Sequence, residues 1–280
     1  MDALVSTEWL AGELGAFDLR VVDATQFLPE AGRDARAEFE QAHIPGAIFM
    51  DLAELADPSN AVPNMAPTAE KFASRMQALG LGDGSRIVLY DNAPHKTAAR
   101  AWWMLRMFGA HDVAILDGGL AKWQAEGRAI EAGVTKLRHR HFTVWADPEP
   151  VRSKEDVLAN LTSGAAVVVD ARGAARFTGE EPETRPGCAS GHIPASRNLP
   201  YDQVFNADGT YKSAEGIKAA FDGAGVDLSK PLITTCGSGI TAAVLYFAAA
   251  LTGKKDIALY DGSWSEWGVD PQTPKATGAA

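Results

Sequence analysis

Residues 231–243 read Pro-Leu-Ile-Thr-Thr-Cys-Gly-Ser-Gly-Ile-Thr-Ala-Ala, and Cys236 is the residue in the chain best set up to act as a nucleophile. A cysteine attacks as its thiolate, and two features of this stretch favour the ionised form. Gly237 and Gly239 let the backbone curl so that successive amides face inward. Thr241 to Ala250 reads as a helix, Ala-rich with Val244, Leu245 and Phe247. Its N-terminus brings roughly half a positive charge. Gly237, Ser238, Gly239, Ile240 and Thr241 would then surround the sulfur. On these residues alone, an inert cysteine at a strand end stays open as the other reading.

A loop of this kind needs a strand before it, and Leu232, Ile233, Thr234 and Thr235 form a short β-branched and apolar run. The rest of the chain alternates in the same way. Ser6 or Thr7 is placed to cap a first helix. Leu19–Asp23, Arg86–Tyr90 and Val113–Leu116 read as buried strands, and Thr68–Leu79 and Thr97–Phe108 as helices. Gly32 to His43 is simply charged, and Ala56 to Pro67, with three prolines and two asparagines, reads as a loop.

The second half repeats this order. Asp170 echoes Asp23, His192-Ile193-Pro194 echoes His43-Ile44-Pro45, and Leu232–Thr235 echoes Ile87–Tyr90. Thr241-Ala242-Ala243 echoes Thr97-Ala98-Ala99, and Asp261-Gly262 echoes Asp117-Gly118. The separations are 147, 149, 145, 144 and 144 residues, so the chain reads as a tandem duplication. The expected fold is α/β: two domains, 1–130 and 151–280, each a small, mostly parallel sheet flanked by helices. A basic connection joins them over 131–150, with Lys136, Arg138, His139, Arg140 and His141, ending in Asp147-Pro148-Glu149-Pro150. The duplication places Asp91 where Cys236 stands, so one half keeps a thiol and the other a carboxylate. A single active site, in the second half at the carboxyl end of its sheet, is the expectation. His43 and His192, and Asp23 and Asp170, occur in both halves and read as structural.

Composition narrows the function. The 280 residues carry a formal net charge of −10, which disfavours nucleic acid or an anionic membrane as partner. An anionic substrate would need dedicated cations. Two cysteines, Cys188 and Cys236, are too few for a disulfide framework or a cysteine-built metal centre. The N-terminus lacks a basic n-region and an apolar h-region, and no apolar run reaches the ~18 residues of a membrane span. A cytoplasmic enzyme without metal or organic cofactor is expected.

The segments Val-Asp-Ala-Arg, Gly-His-Ile-Pro, Cys-Gly-Ser-Gly-Ile-Thr-Ala and Tyr-Asp-Gly-Ser-Trp-Ser-Glu-Trp, in this order, resemble tandem-domain sulfurtransferases of the rhodanese superfamily. Thiosulfate sulfurtransferases usually carry basic residues just after the cysteine. The loop here, Gly237-Ser238-Gly239, is similar to that of the 3-mercaptopyruvate type. The resemblance implies that Cys236 accepts sulfur as a persulfide. It implies that Arg176 and Arg185 bind the carboxylate of a small anionic donor, and that a thiol, carried for instance by a thioredoxin-like protein, or cyanide takes the sulfur away. Without that motif, either arginine reads as a surface ion pair with Glu180, Glu181 or Glu183. Family members often couple the loop serine to a histidine and an acid. The matching positions here are Asn64 and Ala53, so Ser238 lacks that relay.

Three other readings remain: a thiosulfate:cyanide sulfurtransferase, a non-enzymatic persulfide carrier, and a cysteine-dependent phosphatase. The last needs an arginine six positions after the cysteine, where Ala242 stands. Cys188 reads as an ordinary loop cysteine, with a redox partnership to Cys236 as the alternative.

Overall fold

Among the described residues, ten short strands assemble into two five-stranded sheets with parallel pairings. The structure is a computed structural model and describes residues 1–135, 138–145, 147 and 151–279. Lys136 and Pro148-Glu149-Pro150 of the expected connection lie outside the described residues. The strands are β1 (Leu4–Val5), β2 (Leu19–Asp23), β3 (Ile48–Phe49), β4 (Arg86–Tyr90) and β5 (Val113–Leu116) in the first half. In the second they are β6 (Val151–Arg152), β7 (Val167–Asp170), β8 (Arg197–Asn198), β9 (Leu232–Thr235) and β10 (Ile257–Tyr260). The orders are β1-β5-β4-β2-β3 and β6-β10-β9-β7-β8, the same topology twice. Four of the ten strands are two-residue edges, too short for their periodicity to stand out from the sequence.

Two units separate by their internal packing. One comprises the described residues of 1–56, 66–147 and 206–211. The other comprises the described residues of 57–65, 148–205 and 212–280. The proline-rich stretch around Asn64 therefore belongs to the unit that carries Cys236.

In the first unit Leu10, Val21, Val88, Tyr90 and Trp123 share one core. Ser6 caps the helix Thr7–Glu13, accepting from the Trp9 amide at 3.1 Å. The stretch read only as charged holds a helix, Ala35–Gln41, capped by Asp34 and anchored by buried Phe39. Much of the basic connection belongs to this unit. Phe142 is buried edge-on against Phe72, the Thr143 hydroxyl donates to Asp83 at 2.6 Å, and the Asp83 and Trp145 amides donate to the His141 and Phe108 carbonyls at 2.9 and 3.2 Å, which together hold this segment to the unit without a strand or helix of its own. In the second unit Val157, Val168, Ile233, Tyr260, Trp264 and Trp267 form the core on one sheet face. A capping box of Ser153 and Asp156 starts the helix Lys154–Ser163.

The register reproduces the duplication at atomic level. Asp23 pairs with Tyr90 in the first sheet and Asp170 with Thr235 in the second. The next residues along β4 and β9 are Asp91 and Cys236, at equivalent sheet ends. His43 and His192 are held alike: each ring stacks on a phenylalanine (Phe39 at 4.1 Å, Phe177 at 3.8 Å) and turns Nδ1 to that residue's carbonyl.

Candidate active site

Cys236 follows the last residue of β9 and is 2 % exposed. The loop 237–239 leads into the helix Ile240–Leu251, one residue longer at each end than its sequence indicates. Gly239 takes the left-handed φ of 78° that its loop requires. Gly237 does not; its role is clearance. A Cβ there would stand 3.2 and 3.5 Å from two guanidinium nitrogens of Arg185 and 3.8 Å from one of Arg176. Both arginines expected from the resemblance thus converge on the residue beside Cys236.

The loop's carbonyls are drawn to the opposite side. The Trp264 amide donates to the Cys236 carbonyl at 2.9 Å, and the Ser265 amide and hydroxyl both donate to the Gly237 carbonyl, at 2.8 and 2.6 Å. Arg185 Nη1 also reaches that carbonyl at 3.4 Å. The Ser263 hydroxyl accepts from the Cys236 amide at 3.2 Å and donates to the Tyr260 carbonyl at 2.8 Å. With these carbonyls tied down, the amides of Gly237 and Ser238 donate to no protein acceptor among the described residues, and neither does the Ser238 hydroxyl. Two unpaired amides in a loop at a helix N-terminus suit a small anion or an ionised sulfur. Ser263 holds a left-handed φ of 49° while wholly buried. Its equivalent in the first unit is Gly119, with φ 59°.

Behind the arginines lies a charge network. Arg172, buried at 3 %, donates to both carboxylate oxygens of Asp170 at 2.7–3.1 Å and to the Gly191 carbonyl at 2.7 Å. Its guanidinium lies 4.6 Å over the Trp264 ring. Glu183, with a side chain 1 % exposed, pairs with Arg176 at 2.6 Å, Arg172 at 3.3 Å and Arg185 at 3.8 Å. Of the three acidic residues the sequence offered as partners, Glu183 is the one that pairs with both arginines, while Glu180 and Glu181 face water. Arg172 and Glu183 are site residues that sequence reasoning missed. Comparing the halves held a signal for the first, since its duplicated position is Thr25.

The first unit uses the same scaffold differently. Asp91 turns its carboxylate onto the Ala98 and Ala93 amides at 2.8 and 3.2 Å, so an internal anion fills the helix start. Burial pushes that carboxyl above its usual range. Asn64, at the position of the family's relay histidine, sits at a left-handed φ of 63° in the second unit; Ala53 lies in the helix Leu52–Leu55 of the first. Cys188 sits part-buried, its Sγ 3.8 Å from the carbonyls of Ala189 and Trp264. Burial, together with the charge of Glu183, pushes its thiol up. Among the described residues, no group of His, Cys, Asp and Glu could hold a metal ion, and no helix is long and apolar enough to cross a membrane.

Comparison with known proteins agrees on both halves. A rhodanese-like domain is matched over residues 6–126 and again over 153–270. The 3-mercaptopyruvate sulfurtransferase of Mus musculus is 43 % identical over 271 residues, covering 95 % of this chain and 91 % of its own. That of Escherichia coli K12 is 40 % identical, covering 96 % of both. A thiosulfate sulfurtransferase of Cricetulus griseus is 41 % identical, covering 95 % and 91 %. Among solved structures, SseA of Escherichia coli, described as a 3-mercaptopyruvate sulfotransferase with the rhodanese fold, superposes with a TM-score of 0.87. It is 38 % identical and covers 94 % of this chain and 99 % of its own. Two matched domains in one chain, relatives of near-identical length and one shared topology make this protein a tandem-domain member of the rhodanese-like family.

Proposed function

We propose that the chain is a 3-mercaptopyruvate sulfurtransferase working through a persulfide on Cys236, with residues 151–280 as the catalytic half. The observation that carries this reading is the convergence of Arg176 and Arg185 on Gly237, beside a nucleophile whose own loop carries no cation. A planar guanidinium pair suits a carboxylate, which it holds by bidentate hydrogen bonds.

The Cys236 thiolate attacks the thiol sulfur of the bound donor. The carbon–sulfur bond breaks and its electron pair passes to the methylene carbon, giving the enolate of pyruvate and Cys236–S–SH. The enolate takes a proton from solvent. The loop amides of Gly237, Ser238, Gly239, Ile240 and Thr241 and the helix N-terminus hold the negative charge as it moves. The Ser238 hydroxyl donates to the keto oxygen of the donor as the enolate forms. With Asn64 and Ala53 at the relay positions, that hydroxyl acts without a histidine behind it. An acceptor thiolate then attacks the outer sulfur, forms its own persulfide and returns Cys236 as thiolate. Cyanide would leave as thiocyanate by the same step. A thioredoxin-like protein is the proposed thiol acceptor, and a reducing, cytoplasmic setting belongs to the same cycle, because both cysteines are free and the acceptor must be regenerated.

The identity to a thiosulfate sulfurtransferase favours a second donor, so the test runs both side by side. Steady-state transfer to a thiol acceptor is measured with 3-mercaptopyruvate and with thiosulfate. A large preference for mercaptopyruvate, with pyruvate released, is the expected outcome. A preference for thiosulfate would replace this reading. Silence with both, alongside a Cys236 persulfide accepted from another protein, would make the chain a carrier.

A further inference from the structure

We propose that Glu183 is a specificity-determining residue: its buried charge sets the donor site to accept one negative charge rather than two. The inference rests on the sulfurtransferase reading above and concerns which class of donor the same site takes.

The charges around Glu183 nearly cancel one another. Arg172 is matched by Asp170, whose two oxygens both face it, so that pair is neutral. Arg176 and Arg185 face Gly237 and supply two positive charges. Glu183 stands behind them and removes one. Cys188 is a neutral thiol, raised by burial, and Glu180 and Glu181 are exposed and screened by water. One positive charge remains, and the Cys236 thiolate takes it, so the loop amides and the helix N-terminus meet whatever charge the donor brings. A carboxylate with a neutral thiol brings one negative charge. A dianion such as thiosulfate brings two, with the buried charge of Glu183 close behind, which is costly.

The oxygens of Glu183 divide their duties. Oε1 takes the hydrogen bonds, from Arg176 Nη2 at 2.6 Å and Arg172 Nη1 at 3.3 Å. Oε2 is buried with no hydrogen-bond partner among the described residues and stands 3.8 Å from Arg185 Nη1. An oxygen that makes no hydrogen bond contributes charge alone. Glutamine keeps an oxygen for the Oε1 bonds and puts an NH2 group of similar size at Oε2, so Glu183→Gln removes the charge with little change of shape, and Glu183→Asp controls for the altered hydrogen bonding.

The experiment measures kcat/KM for 3-mercaptopyruvate and for thiosulfate in the wild type, Glu183→Gln, Glu183→Asp and Arg185→Gln. The expected result is that Glu183→Gln raises the thiosulfate-to-mercaptopyruvate ratio about tenfold or more, the scale of one added unit charge a few ångströms from the donor. Glu183→Asp, which keeps the charge, holds the wild-type ratio even if both rates fall. Arg185→Gln moves the ratio the other way. A fall of both donors by one common factor in Glu183→Gln would mean that the residue only orients the arginines, and would overturn the proposal. So would an equal shift in Glu183→Asp. If the wild type is silent with both donors, the sulfurtransferase reading fails by itself. The charge count is then read from protection of Cys236 against alkylation by pyruvate and by sulfate, where Glu183→Gln must favour sulfate over pyruvate or the proposal falls. If neither Glu183 variant folds, the opposite shift in Arg185→Gln carries the test, and an unchanged ratio there overturns it.

Discussion

On the proposed reading Arg176 and Arg185 are not interchangeable with other cations, because what they would offer the donor is a plane with paired donors as well as a charge. Arg176 keeps one nitrogen on Glu183 at 2.6 Å and so presents its remaining face in a fixed direction. Replacing it with lysine keeps the charge and abolishes the fork. The expected outcome is a rise in KM for 3-mercaptopyruvate of about tenfold, the loss of roughly one charge-assisted hydrogen bond, with kcat changed by less than threefold. Steady-state kinetics at saturating acceptor would show it, and a collapse of kcat instead would mean that the arginine acts in the chemical step. Cys236→Ser is the simpler case. A hydroxyl at that position forms no persulfide, so mass spectrometry after donor treatment should find no added sulfur, and transfer that survives the change would remove Cys236 from the reaction.

The element that holds the nucleophile is the short helix Ser263–Trp267, whose first three residues engage the backbone of Cys236 and Gly237. A serine in the left-handed region costs about 1–2 kcal/mol relative to glycine, and the first unit uses Gly119 at that place. The second unit carries the strain and gains a hydroxyl on the Cys236 amide. Ser263→Gly relieves the strain but orphans that amide, so the two effects nearly cancel and unfolding free energy should stay within about 1 kcal/mol of wild type. Ser263→Ala keeps the strain and also loses the hydroxyl, and should lie about 1–2 kcal/mol below the glycine variant in urea unfolding. Both should form persulfide more slowly to a similar degree. Equal stability of the two variants would show that position 263 is not strained.

Across the whole molecule, duplication has placed one aspartate in two electrostatic settings. Asp170 is neutralised by Arg172; Asp23 has no such partner among the described residues, and burial raises its carboxyl to about 6, against hydrogen bonds from Thr25 and Tyr90 that lower it. A carboxyl raised on folding contributes stability that is full below its unfolded value near 4 and is lost as pH rises through 6. At pH 7 that loss is about 3 kcal/mol. Asp23→Asn removes it, because the amide still accepts from the Thr25 amide and carries no charge. Stability of the variant relative to wild type should therefore grow between pH 4 and pH 6.5, and level off above. A difference that is flat with pH would mean Asp23 titrates at its ordinary value. Buried Asp91 and half-buried Asp117 of the same unit are raised in the same sense, so the substitution removes only part of that unit's pH dependence.

Short-range pattern was enough to locate the strand–loop–helix at 232–250, the duplication and the half that keeps a thiol. Each of these follows from residue spacing within a few turns or from one segment repeating another, and neither needs a third dimension. The two-residue edge strands and the helix in the charged stretch 35–41 escaped, since elements that short are stabilised by what they pack against. Gly237 and Gly239 look alike in the sequence, yet one serves clearance and the other a left-handed turn. Glu180, Glu181 and Glu183 were equal candidates until the fold buried one of them among three arginines. Arg185 lies 52 residues from the carbonyl it reaches at Gly237, and Ser265 lies 28 residues from the same atom. The sequence by itself determined which cysteine stands between a strand and a helix N-terminus, and on what kind of scaffold. The tertiary structure decided what charge the attack meets, because only burial removes the water that would otherwise screen it.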